Sequence, residues 1–255
     1  MKIKQKTPEQ IYGNSAGGGP SDLVLTHICN IREDIKILFE QGIKILDVGC
    51  GQGHTCDYIK TNFQKNFLVG CDISDIAIQK AREKNLVDDI FKCDISFEKI
   101  PYADDSFDVI FLLDTLEHIS NPHHAVSEIK RVCKDNVGKI IISIPDEEQQ
   151  QGYRANNHAF VYPGLFHLKN FIVFLQQSYL GIVYYKKFIN KKTFHGDYSS
   201  GSMIRREPIH HVFLCENTPI KNDYDILNVI HMNLEPKDLE YPKNDINEFQ
   251  DKETK

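Results

Sequence analysis

Ile45-Leu46-Asp47-Val48-Gly49-Cys50-Gly51-Gln52-Gly53 is the stretch that decides the architecture of this chain. Ile43 to Val48 is a short apolar run of the kind a fully buried strand carries. It passes without a spacer into glycines at alternate positions 49, 51 and 53. Glycines there let the backbone turn tightly and come close to a ligand at the carboxyl edge of a parallel sheet, where such folds hold nucleotides. A dinucleotide fingerprint, GxGxxG, would put its last glycine at position 54, which is His54. Asp47, just ahead of the turn, argues the same way. A carboxylate there repels a pyrophosphate and suits a ligand with a cationic amino group.

Outward from that turn, strands and helices alternate. Asn66 to Cys71 reads as a second strand, followed by a helix from Ser74 to Lys84. Asp89 to Lys92 is a third strand. Asp108 to Leu113 is a fourth, entered from the turn Asp104-Asp105-Ser106, and Ser120 to Lys134 holds a helix. Gly138 to Ile144 is a fifth strand, closed by Pro145. This rhythm implies a mostly parallel sheet with helices on both faces. Leu165 to Tyr179 reads as a further helix. Gly181 to Phe188 and Ile209 to Cys215 then read as two strands added antiparallel at the sheet edge. Upstream, Gly17-Gly18-Gly19-Pro20 leads to a helix from Ser21 to about residue 40. Residues 219–255 are charged and weakly periodic, as in a loosely attached tail. The expected division is a lid or helix at 1–40, the main domain at 41–218, and a tail at 219–255.

Composition narrows the class. The chain has 255 residues, 41% hydrophobic and 26% charged, ordinary for a soluble globular protein with one large core. Net charge is -6, a poor match to a partner as acidic as nucleic acid. The seven cysteines are odd in number and lack CxxC spacing, which indicates reduced thiols in a cytoplasmic protein. The N-terminal lysines are followed by no apolar run, and Phe171 to Leu175 is too short to span a bilayer, so no membrane association is expected.

Two further carboxylates stand where a nucleoside needs them. Asp72 ends the second strand, 19 positions after Gly53, and can accept from both ribose hydroxyls. Asp94 ends the third strand and can accept from an adenine amino group. Ile73 and Ile95 beside them are placed to sandwich the base, with Leu113 at the end of the fourth strand on the same edge. Each carboxylate alone reads equally well as a helix cap or turn residue. In series with Asp47, Gly49, Cys50, Gly51 and Gly53 they read as one binding site.

From Ile43 to Pro145, roughly two-fifths of the chain, the sequence resembles the core of class I S-adenosylmethionine (SAM)-dependent methyltransferases. The resemblance rests on an ordered series: Leu46 to Gly53, Gly70-Cys71-Asp72, Pro101 to Ile110, Leu116-Glu117-His118 and Ile144-Pro145-Asp146. It implies a Rossmann-like fold of seven strands, mostly parallel with an antiparallel last strand. SAM would be the methyl donor and S-adenosylhomocysteine (SAH) the product.

The acceptor site is expected after the fourth strand, at Asp114-Thr115-Leu116-Glu117-His118. If a helical turn starts there, positions i, i+3 and i+4 share a face, and Asp114, Glu117 and His118 point together. Two carboxylates and an imidazole suit an ion such as Mg or Mn. The bland reading has His118 packing near the cofactor or serving as a base. Arg154-Ala155-Asn156-Asn157-His158-Ala159-Phe160 resembles the stretch that supplies a second histidine ligand in small-RNA 2′-O-methyltransferases. Their ExxEH motif, similar to that of ubiquinone-pathway O-methyltransferases, matches Asp114, Glu117 and His118, with Asp in place of the first Glu. That resemblance implies Asp114, Glu117, His118 and His158 as metal ligands. Without a metal, His118 or His158 becomes the general base.

Weaker features surround these. Gly17 to Ser21 is placed to hold an anion at a helix start, though a plain lead-in loop is the simpler account. Lys186, Lys187, Lys191, Lys192, Arg205 and Arg206 read as a phosphate site or as a solvated face. Tyr153, Tyr162 and Phe166 read as pocket or packing residues. The expected function is methyl transfer, at oxygen, to a small anionic or polyhydroxyl acceptor: a sugar, nucleotide-linked or phosphorylated metabolite such as a surface-polysaccharide precursor. The competing readings are an RNA 2′-O-methyltransferase, a small-molecule N- or C-methyltransferase, and a SAM-binding regulator without catalysis. The chain is expected to act as a monomer or homodimer.

Overall fold

The computed structural model describes residues 29, 32–145, 165, 167–189 and 209–218. Among the described residues, the α-helices given with their bounds are α1 (Glu33–Glu40), α2 (His54–Asn62), α3 (Asp75–Glu83), α4 (Pro122–Val132) and α5 (Leu168–Gln177). The strands are β1 (Lys44–Val48), β2 (Phe67–Asp72), β3 (Asp89–Lys92), β4 (Val109–Leu113), β5 (Lys139–Pro145), β6 (Gly181–Ile189) and β7 (Ile209–Glu216). A 3₁₀ turn, Leu116–His118, follows β4.

All seven strands join one sheet in the order β3-β2-β1-β4-β5-β7-β6. The first five run parallel; β7 lies antiparallel to β5, and β6 antiparallel to β7. This is the Rossmann-like class I methyltransferase sheet expected from the sequence.

The central strands are apolar at nearly every position because both faces are covered. Ile45, Leu68, Val109, Phe111 and Ile141 pack with Ile35 and Phe39 of α1 and Ile59 of α2. Their neighbours Leu46, Val69, Ile110, Leu112, Ile140 and Ile142 turn the other way, onto Val126 and Ile129 of α4 and Phe171 and Leu175 of α5. Cap chemistry sets two helix starts. The Ser74 hydroxyl accepts from the Ala77 amide at α3, and the Asn121 carboxamide accepts from the His124 amide at α4, which has Pro122 in its first turn.

Several boundaries differ from expectation. The single N-terminal helix is interrupted at Arg32, which takes a non-helical φ of -114° as the cap of α1. Helix α2 is not signalled by the sequence, because of its apolar positions only Cys56 and Ile59 are buried. Asn66 is not a strand residue. It is buried, with its Oδ1 accepting from the Ile43 amide at 2.9 Å. Its amide donates to Phe39 O at 2.9 Å and Phe63 O at 2.8 Å, so one side chain ties the ends of α1 and α2 to the start of β1. Asn66→Ala would orphan all three groups, and we expect a loss of about 2 kcal/mol, read by urea denaturation. Among the described residues no helix is long and apolar enough to cross a membrane. Residues 1–28, 30–31, 146–164 (with His158), 166, 190–208 and 219–255 lie outside the described residues.

Candidate active site

The strand order puts the carboxyl ends of β3, β2, β1 and β4 side by side, with Asp94, Asp72, the glycine turn and Asp114 following them in sequence. Gly49, Gly51 and Gly53 take positive φ values of 72°, 53° and 83°, a region side chains enter only at a cost. The Gly49 and Cys50 amides both donate to the Cys71 carbonyl, at 2.8 and 3.0 Å. Asp72 then fixes the turn, its Oδ2 accepting from the Gly51 amide and its Oδ1 from the Ser74 amide, each at 2.9 Å. Each oxygen keeps a further lone pair for a ligand hydroxyl. Burial pushes the Asp72 carboxyl above its ordinary value, against the hydrogen bonds that favour its ionised form.

Asp47 is 3% exposed, and its Oδ2 lies 3.7 Å from Cys56 Sγ in the first turn of α2. Burial raises its pKa to about 7; the other groups acting on it are Cys56, Thr55 and Asp72, none of them a cation. A buried carboxyl in that state is stabilised by an arriving ammonium group. Cys50 turns away from the site: its thiol is buried, and a Cβ built on Gly70 would lie 3.0 Å from its sulfur. Asp94 is half-buried, with Oδ1 accepting from the Ser96 amide at 3.0 Å. Ile95 is buried, and Ile73 and Leu113 are half-buried on the same edge. Positive-φ glycines, lone pairs on Asp72 and an uncompensated Asp47 fit a nucleoside carrying an ammonium group, as SAM does.

The turn after β4 is locked onto the glycine turn by a residue the sequence reading passed over. The Thr115 hydroxyl lies 3.0 Å from the Val48 carbonyl and 3.1 Å from that of Leu113. A Cβ on Gly49 would meet Thr115 Cγ2 and Oγ1 at 2.6 Å. The glycine turn and the turn after β4 are thus in direct contact.

The expected helical face does not form. Asp114 takes a left-handed φ of 51°, and the following turn is 3₁₀, so the i, i+3, i+4 alignment is lost. The Asp114 amide donates toward Ser143 O and Oγ, each 3.0 Å away, and the Ser143 hydroxyl donates to Asp114 Oδ1 at 2.7 Å. Asp114 Oδ2 lies 3.2 Å from Nε2 of His210. Burial raises the Asp114 carboxyl, but the charge and hydrogen bond of His210, the Ser143 hydroxyl and the charge of His118 outweigh it and hold it below its ordinary value. Glu117 is 2% exposed, and its Oε2 has no hydrogen-bond partner among the described residues. Burial, then the Asp114 charge, push its carboxyl well above its ordinary value. His118 Nε2 stands 3.9 Å from Glu117 Oε1, beyond hydrogen-bond reach.

These residues do not fit the metal site expected from the sequence. Both Asp114 oxygens are engaged, the Glu117 carboxyl is pushed well above its ordinary value, and among the described residues no group of three His, Cys, Asp or Glu side chains is placed to hold an ion. The remaining proposed ligand, His158, lies outside the described residues. His210 reaches the site because β7 runs antiparallel beside β5, with His210 paired to Pro145. The visible signal was a His-His pair interrupting an apolar strand, but its partner lies 96 positions away. Of the six basic residues near the last loop, Lys186 and Lys187 lie on β6; the other four fall outside the described residues.

Residues 46–142 match the family described as "Methyltransferase domain". Phosphoethanolamine N-methyltransferase 3 of Arabidopsis thaliana is 36% identical over 118 residues, 44% of this chain and 23% of that protein. Sterol 24-C-methyltransferase ERG6B of Gibberella zeae is 31% identical over 103 residues, 39% of this chain and 27% of that protein. The chain thus spans about a quarter of the length of these relatives. A SAM-dependent methyltransferase of Methanosarcina mazei superposes with a TM-score of 0.55 at 16% identity, over 73% of this chain and 98% of that one. The glycine turn, the carboxylate series and the strand order agree with these matches: residues 46–142 are similar to the methyltransferase domain family, and the fold is that of solved SAM-dependent methyltransferases.

Proposed function

We propose that the chain transfers the methyl group of SAM to a hydroxyl of a small polar acceptor bound over the turn after β4. The observation that carries this reading is the contact between Thr115 and Gly49, which sets the acceptor turn against the cofactor turn. When bound, SAM supplies a methyl group on a sulfonium, which the acceptor displaces in line. The chain's own work is to position the acceptor, exclude water and take up a proton.

The electrostatics favour a neutral acceptor atom. Burial and the Asp114 charge push the Glu117 carboxyl well up, and Asp114 is already engaged by Ser143 and His210, so this end of the sheet suits a neutral acceptor atom better than a protonated amine. The charged amine suggested by the Arabidopsis relative's name suits this end of the sheet less well than a hydroxyl. The test is transfer of label from SAM carrying a tritiated methyl group to a panel of sugars, polyols, catechol and amines. Ether products are expected, and labelling confined to amines would contradict the oxygen reading. Because both Asp114 oxygens are already engaged by Ser143 and His210, a chelator is expected to change the rate less than about twofold. Loss of activity in chelator and its recovery with Mg or Mn would restore the metal mechanism.

A further inference from the structure

We propose that Thr115 is a positioning residue that couples the glycine turn to the turn after β4, so that a cofactor seated on the first orders the second. The proposal rests on the methyltransferase reading above and deepens it, by saying how the two halves of that site are held to one another. Backbone pairing does not hold them. β1 and β4 run side by side, but their register ends at Asp47 and Phe111, before either turn begins. Beyond that point each turn is anchored to its other neighbour. The Gly49 and Cys50 amides donate to the Cys71 carbonyl of β2, and the Asp114 amide donates toward Ser143 of β5. In the order β2-β1-β4-β5 these anchors pull the two turns toward opposite sides.

Thr115 spans the gap. Asp114 takes a left-handed φ of 51°, a strained conformation, and the side chain that follows it lies against the glycine turn. The Thr115 hydroxyl is 3.0 Å from the carbonyl of Val48, the last residue of β1, and 3.1 Å from that of Leu113, the last residue of β4. A hydroxyl has one proton to donate, so it serves one carbonyl at a time. Donated to Val48, it ties the turn after β4 to the glycine turn. Donated to Leu113, it stays within its own strand. Packing adds a second contact, since both Cγ2 and Oγ1 of Thr115 stand 2.6 Å from the place a Cβ on Gly49 would take. Two carbonyls at nearly equal distance give the hydroxyl two discrete arrangements, which is the bistable element that coupling needs.

A ligand that fixes the glycine turn fixes Val48 O and Gly49 together, and so favours the bond across. The turn after β4 is then held at its start by Thr115. It is closed by its own amides, that of His118 donating to Thr115 O at 3.0 Å and that of Ile119 to Leu116 O at 3.1 Å. Asp114, Glu117 and His118 are carried on this segment, so the acceptor half of the site takes its final geometry when the donor is in place. The effect is the size of one hydrogen bond, about fivefold in an equilibrium constant, and it is reciprocal: what the cofactor does to the turn, the turn does to the cofactor.

The test is amide hydrogen exchange of the full chain, with and without SAH, in wild type, Thr115→Val and Thr115→Ser. Valine keeps the shape and removes the hydroxyl, whereas serine keeps the hydroxyl. In wild type, SAH is expected to slow exchange across residues 46–55 and, by about fivefold, across residues 113–121. In Thr115→Val the protection of 46–55 is expected to remain while that of 113–121 falls below about twofold, and Thr115→Ser is expected to restore it. By reciprocity, Thr115→Val should weaken SAH binding by no more than about fivefold. Should Thr115→Val not fold, Thr115→Ala, which adds no atoms, takes its place. Equal protection of 113–121 in wild type and Thr115→Val overturns the coupling, as does a wild type in which SAH protects 46–55 alone, or a serine variant that behaves like valine. Failure of wild type to bind SAH would instead defeat the methyltransferase reading on which the proposal stands.

Discussion

Gly49→Ala is expected to weaken SAH binding by up to about 10³-fold, the largest single effect foreseen for this site. Two independent costs meet at one methyl group. Gly49 sits at φ 72°, where a residue with a Cβ is less favourable by roughly 1–2 kcal/mol. The new Cβ would also lie 2.6 Å from both Cγ2 and Oγ1 of Thr115, closer than atoms tolerate. To relieve it, Thr115 must rotate and give up its hydrogen bond to Val48 O, worth about 1 kcal/mol, or the glycine turn must move. Either response displaces the backbone that approaches the cofactor. Overpacking of this kind costs about 1–3 kcal/mol, so the backbone strain and the overlap together approach the ~4 kcal/mol that a 10³-fold loss represents. Calorimetric titration with SAH measures the binding, and thermal unfolding separates it from stability. Adding Thr115→Ala removes both clashing atoms, so the double variant is expected to regain at least tenfold in affinity. No recovery would mean that the contact between the two turns is not what Gly49 protects.

Asp47 carries the second large effect, and it has a pH signature. With no ligand bound, burial holds its pKa at about 7, above the ordinary 3.8. An ammonium group beside it favours the ionised carboxylate, so binding releases a proton whenever the pH is below about 7. SAH affinity is therefore expected to be level above pH 7 and to fall by up to tenfold per unit below it. The free protein runs the other way. The folded state holds this proton more tightly than the unfolded chain, so the Asp47 contribution destabilises above pH 7 and fades as pH falls from 7 toward 4. Asp47→Asn is expected to bind SAH on the order of 10² more weakly at pH 8, to lose the slope below pH 7, and to gain stability at pH 8. Titrations and urea melts from pH 5.5 to 8 read all three. An unchanged slope in Asp47→Asn would place the linked proton on another group, Asp72 being the next to examine because burial also raises its carboxyl.

The legibility of the chain follows the range of the interactions. Strands β1, β2, β4 and β5 are buried on both faces, so their sequences are continuous apolar runs that stand out without any structure. The glycine turn is local too: its three positive φ values require glycine, and glycine is what is written there. Helix α2 was not legible, because it covers the sheet with only a few apolar side chains and starts from Gly53 without a capping side chain. Asn66 read as strand because its role depends on carbonyls at Phe39 and Phe63 that only the folded chain gathers. The acceptor site divides in the same way. Asp114, Glu117 and His118 were visible as a motif, but the face they were expected to share assumed α-helical spacing. A left-handed residue and a 3₁₀ turn replace it. Ser143 and His210 come from β5 and β7, and only the strand pairing carries them to Asp114.

The central claim is that the carboxyl edge of β1, β2 and β3 holds SAM and not a dinucleotide. Isothermal titration of the full chain with SAH, repeated in the presence of excess NAD, tests it directly. A single saturable SAH site that NAD does not displace, abolished by Gly49→Ala, is the predicted result. No heat with SAH, or competition by NAD, would contradict the account.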